Sequence, residues 1–135
     1  MPNYFTDNSD IQFHFKNFDS EQVREVISLF EENYKESLHY NFAPVSFEDA
    51  LENYRAVLEV VGDLSANFIE PRAAGVDEIG AVFVDGKVSY AEGTKKNLQQ
   101  LAQADLMGMI LPRKYGGLNF PFFIYMVAVE MVSRA

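Results

Sequence analysis

The chain has no cysteine and no tryptophan, and only two histidines among its 135 residues. Without cysteine there is no disulfide scaffold, thiolate metal site or cysteine nucleophile. The two histidines, His14 and His39, stand too far apart in sequence for a metal-binding spacing. Basic residues are few, 11 against 20 acidic, and nowhere cluster as a phosphate-neutralising patch would, which argues against nucleic-acid binding. There is no glycine-rich phosphate cradle, nucleophile elbow, internal repeat or low-complexity tract. The opening residues lack the basic and apolar regions of a signal peptide, so a cytoplasmic location is the expectation.

What is present suits one core-forming domain: 48% hydrophobic and 14% aromatic residues. Charge is uneven. Residues 1–80 carry 16 acidic and 5 basic side chains, net −11, and residues 81–135 carry 4 and 6, net +2. The front half therefore reads as an acidic solvated surface and the back half as material for burial.

Residues 1–18 alternate aromatic and polar side chains, and Ile11-Gln12-Phe13-His14-Phe15 has period two. With no ladder to join, this reads as an extended aromatic arm. Asp7-Asn8-Ser9-Asp10 reads as a turn or cap, because it lacks the glycine and distal glutamate of a calcium loop. The helical domain then occupies 19–135. Asp19 is the expected cap of a first helix, with Gln22 three residues on and Phe18 stapling to Val23. Val23, Val26, Ile27, Phe30 and Tyr34 carry that helix to about Leu38. Ser46 with Asp49 caps a second, whose stripe runs through Leu51, Tyr54, Leu58, Val61 and Phe68 to a stop at Pro71. The two are expected to pair antiparallel. Gly62 marks a close crossing or bend.

Residues 71–80 read as loop, and Asp85-Gly86 between two β-branched runs predicts a hairpin near 81–90. A third helix follows over about Ala91–Ala104, with Leu98 and Leu101 inward, continued by an apolar turn to Leu111. The fold expected is mainly α, an antiparallel helical bundle with a small β-hairpin.

The segment Phe122–Val132 is apolar nearly all round, with Glu130 its one charge. Such a helix needs covering by protein or lipid, and it is shorter than the about 20 residues of a membrane span. The domain is therefore read as the front part of a longer protein, cut short at its C-terminal end. Glu130 is open to two readings, a buried proton-transfer group or an ion pair with Arg134. Met107, Met109, Met126 and Met131 read as core filling. Most glutamates of the first two helices are expected on solvated faces.

The run Gly108-Met109-Ile110-Leu111-Pro112-Arg113-Lys114-Tyr115-Gly116-Gly117-Leu118 resembles a signature in the N-terminal helical domain of acyl-CoA dehydrogenases. Val127–Ala135 resembles the helix that follows it, with Met131 in place of a second acid. Asp10–Phe15, Val61-Gly62-Asp63 and Asp85-Gly86-Lys87-Val88 are similar to the larger branch of the family, which includes methylthioalkanoyl-CoA dehydrogenases. The resemblance implies a flavin enzyme (FAD) that removes the α-hydrogen of an acyl-CoA as a proton and the β-hydrogen as a hydride. It places the catalytic base and most of the flavin site in later domains, so no catalytic residue is assigned here. It also implies electron-transfer flavoprotein as redox partner and a homo-oligomer.

By helical geometry Met126, Val129, Glu130 and Ser133 share one face. They are the candidate substrate-binding residues of an acyl-chain pocket, or else pack against another helix. The isolated chain is expected to be inactive and to bind no flavin. The competing reading is a stand-alone helical interaction module that dimerises or binds a partner through 122–132.

Overall fold

The computed structural model describes residues 1–135. Six α-helices and one hairpin follow in order: α1 (Ser9–Lys16), α2 (Glu21–Phe30), α3 (Phe47–Leu64), α4 (Glu70–Ile79), β1 (Ala81–Val84), β2 (Lys87–Tyr90), α5 (Glu92–Gln103) and α6 (Phe122–Arg134). None is long and apolar enough to cross a membrane.

The centre of the molecule is α3 against α6. Tyr54, Leu58 and Val61 meet Ile124, Ala128 and Met131 in one core cluster, all of them buried. Tyr54 packs edge-on to Phe120 at 4.8 Å. Ser46 caps α3 as its sequence indicates: its hydroxyl accepts from the Asp49 N–H at 3.2 Å, while Asp49 accepts from the Val45 N–H at 2.9 Å.

The N-terminal segment is not an extended arm. Asn8 Oδ1 accepts from the N–H groups of Asp10 and Ile11 and starts α1. Ile11 and Phe15, four apart, face the core while Phe13 is 65% exposed. A five-residue alternation fits both periods, and the cap decides between them. The segment before α1 lies across α3 at Gly62, whose backbone oxygen accepts from Tyr4 N–H at 3.2 Å. A Cβ on Gly62 would stand 2.6 Å from Phe5 N, so the close approach needs glycine.

Three further expectations change. The cap of α2 is Ser20, which accepts from Val23 N–H at 3.3 Å, because Asp19 is held by Arg24 at 2.6 Å. That helix ends at Phe30, since Glu32, Asn33 and Tyr34 all take left-handed backbone angles (φ 50°, 55° and 62°). Residues 71–79 are helical rather than loop, and Gly80 ends the helix at a φ of 62°. A π-turn over Ser65–Ile69 joins α3 to α4, the Glu70 N–H reaching back to Ser65 O. Pro71 follows directly on that π-turn, inside a helical run that is continuous from α3.

The hairpin forms where Asp85-Gly86 indicates, with φ of 51° and 75° at the turn and Phe83 opposite Val88. All eight of its strand residues are exposed. After α5, Asp105 (φ 57°) breaks the helix before Leu106–Gly108 tighten into a short 3-10 turn, in place of the continuous turn expected. Leu98, expected inward, is 51% exposed, whereas Leu101 packs on the core.

Candidate functional site

The loop 105–121 is built by its own backbone. Phe120 N–H donates to Met109 O at 2.8 Å, Asn119 N–H to Leu111 O at 2.9 Å and Leu118 N–H to Gly108 O at 3.2 Å. Gly117 lies so close to Leu111 that an added Cβ would stand 2.1 Å from the Leu111 carbonyl oxygen. Gly116 supplies a left-handed φ of 83°.

Arg113 pins this loop to the front of the chain. Its Nη1 donates to Glu31 Oε2 at 2.6 Å and its Nη2 to Glu31 Oε1 at 3.1 Å, and Glu36 shares Nη1. Arg113 and Glu31 are 3% and 1% exposed. Burial alone pulls Arg113 towards the neutral form, but the hydrogen bonds it donates to Glu31 and then Glu36 outweigh it and raise the pKa. Glu31 thus departs from the solvated role expected of the glutamates. Burial, with the Glu31 charge next, raises the pKa of the Tyr54 phenol, which stays protonated.

The four residues singled out from α6 do not line one pocket. Met126, Val129 and Glu130 flank a cleft of about 490 Å³ against Ile11, His14 and Phe15 of α1. Val129 and Ser133 flank a second, of about 240 Å³, against Leu101, Leu106 and Met109. Val129 is the ridge between them. Ile124, Ala128 and Met131 form the inner face of α6, while Phe122, Phe123 and Met126 are 63%, 44% and 48% exposed. Phe123 is held by stacking on Phe18 at 5.0 Å. The methionines divide likewise: Met109 and Met131 are core, Met107 and Met126 are not.

Glu130 is an exposed carboxylate rather than a buried one, 3.6 Å from Arg134 Nη1. No lysine or arginine lines either α6 cleft.

The fold and this loop define a helical domain with a hairpin excursion, presenting an apolar helix between two clefts. The chain belongs to the acyl-CoA dehydrogenase family: residues 52–135 match its N-terminal domain. A curated relative is the 3-methylmercaptopropionyl-CoA dehydrogenase of Ruegeria pomeroyi, 30% identical over 88 residues. That match covers 65% of this chain and 15% of the relative. No solved structure matches.

Proposed function

We propose that the chain contributes the acyl-chain side of a flavin-dependent acyl-CoA dehydrogenase, with the outer face of α6 walling the acyl group. The observation that carries this reading is the pair of apolar clefts along α6, in a domain of that family. Met126 and Val129 supply apolar surface there, Ser133 and Glu130 its polar margin. The family's reaction needs a base at the substrate α-carbon and a flavin at the β-carbon. Glu130, exposed and paired with Arg134, is not assigned as that base. The flavin, when bound in the whole enzyme, accepts the hydride. The remaining domains, an acyl-CoA substrate, electron-transfer flavoprotein, homo-oligomeric assembly and a cytoplasmic site belong to the same proposal, as does inactivity of the isolated chain.

The test is chain-length preference in the whole enzyme. Val129→Phe is expected to lower kcat/KM for long acyl-CoAs by about tenfold while sparing short ones. An equal loss across all chain lengths would remove α6 from the acyl pocket. Purified alone, residues 1–135 are expected to carry no flavin and to oxidise no acyl-CoA.

Exposed Phe122, Phe123 and Met126 favour a second reading, an interaction module that buries this face on a partner or a second copy. Sedimentation velocity separates the two. A dimer that survives dilution supports the module, and concentration-dependent, ill-defined association supports the uncovered face of a larger enzyme.

A further inference from the structure

The hairpin shares no residue with either α6 cleft, and its register runs unbroken from Val84 opposite Lys87 to Ala81 opposite Tyr90. Neither strand contains a bulge or a proline. The two-residue turn closes on Val84 and Lys87, so the ladder's bonds fall on the Val84–Lys87 and Val82–Ser89 pairs. The backbone N–H and C=O groups of Ala81 and Phe83 therefore point out from one edge, and those of Val88 and Tyr90 from the other. No turn, loop or cap takes them up. A two-stranded ribbon is marginal in water, and open edges of this kind pair with further strands.

The residues along each edge say which strand fits. Set antiparallel against a copy of itself about Val82, β1 places Phe83 opposite Ala81, but it also carries Asp85 beside Ile79 and next to Glu78 of the second copy. Acid meets acid there. Set against a copy of itself about Ser89, β2 places Val88 opposite Tyr90 twice by symmetry, and serine opposite serine. Both are favourable cross-strand pairs. The next pair brings Lys87 opposite Ala91, one residue from Glu92 of the second copy. Lys87 makes no salt bridge within the chain, and Glu92 is held only loosely, by Lys95 at 3.8 Å. An edge lysine turns most strands away. A second β2 brings the matching acid.

We propose that β2 is a docking edge for a second copy of this chain, joined antiparallel about Ser89 into a four-stranded sheet of order β1-β2-β2-β1. The edge offers about eight residues a side, against the about 20–30 of a standard interface. The isolated chain therefore associates weakly through it, with a Kd on the order of 0.1–1 mM. This edge and the acyl-chain reading of α6 do not depend on each other.

The test is a dilution series of the 135-residue chain followed in ¹H–¹⁵N spectra. The Val88 and Tyr90 amides are expected to move together along a monomer–dimer curve, and those of Phe83 and Phe122–Val132 much less. A mixture of labelled and unlabelled chain is expected to show contacts between Val88 of one copy and Tyr90 of the other. Val88→Pro is expected to keep the hairpin, because that N–H points away from β1, and to weaken the dimer at least about tenfold. Lys87→Glu is expected to weaken it about fivefold, since symmetry removes two pairs, and adding Glu92→Lys to restore it. Amides that stay still up to about 1 mM would overturn the proposal. So would shifts confined to Phe122–Val132, or a double charge exchange that associates no better than Lys87→Glu alone.

Discussion

Arg113 grips Glu31, 82 residues earlier in the chain, through both terminal nitrogens, in a place where neither side chain reaches solvent. The pair ties the family signature loop to the strained turn after α2. Removing one partner leaves a buried charge alone. Arg113→Met is therefore expected to cost about 3–5 kcal/mol in urea denaturation, with little change between low and high salt because the pair is shielded from ions. Adding Glu31→Leu to that variant is expected to recover part of the loss. A loss below about 1 kcal/mol for Arg113→Met would show that the loop does not depend on the pair.

Arg24 makes a contrasting cluster at the surface. Its hydrogen bonds hold both the Asp19 and Glu48 carboxyls below their ordinary range. A depressed folded-state pKa contributes stability above the unfolded value, lost as pH falls through the folded one. Arg24→Gln should therefore be less stable than the parent at neutral pH. The gap should narrow from about pH 5 downwards and shrink with added salt. The guanidinium also lies 4.3 Å from the Phe47 ring centroid, so a small difference should persist in acid. Denaturation midpoints at pH 7 and 3 check this, and a gap that widens in acid refutes it.

Gly62→Ala sets helix propensity against space. Alanine gains about 1 kcal/mol in a helix interior, but its Cβ would stand 2.1 Å from Asn3 Oδ1 and 2.6 Å from Phe5 N. Asn3 can turn aside only by dropping its bonds to the Phe5 and Thr6 N–H groups. Overpacking of about 1–3 kcal/mol is expected to win. The visible sign is faster proteolysis ahead of α1.

The hairpin is predicted to be a passenger in the stability of the domain. Phe83→Lys should change global stability by no more than about 0.5 kcal/mol and improve solubility. Gly86→Ala forces a side chain into φ 75°. It should melt the Ala81–Tyr90 pairing, seen as lost cross-strand contacts in NMR, while the helices keep their midpoint.

Local chemistry was the legible part of the sequence. Asp85-Gly86, the Ser46–Asp49 cap and the stripe on α3 each carry their signal within a few residues, as does the signature at 108–118. Pro71 misled because a proline inside a helical pattern usually ends it, and here the π-turn just before it carries the helix on. No buried residue marks α4, so no periodicity advertised it. Ile11 and Phe15 fit a strand or a helix until Asn8 is recognised as a cap. Glu31 looked like any surface glutamate, since nothing near it in sequence announces Arg113. For the candidate site, helical spacing grouped Met126, Val129, Glu130 and Ser133. Only the placing of α1 and of Leu101, Leu106 and Met109 on either side of α6 splits that face into two clefts.

The wide turn at Ser65–Ile69 amounts to one surplus residue within an otherwise continuous rod. Each residue of an α-helix advances the chain by about 100° around its axis. Deleting one residue there would restore regular winding, and would disturb the packing of the buried Ser65, Ala66 and Ile69 where this segment meets α6. It would also swing α4, and the hairpin beyond it, about a quarter turn around the rod. A single inserted amino acid thus acts as the compass bearing by which the hairpin leaves the domain.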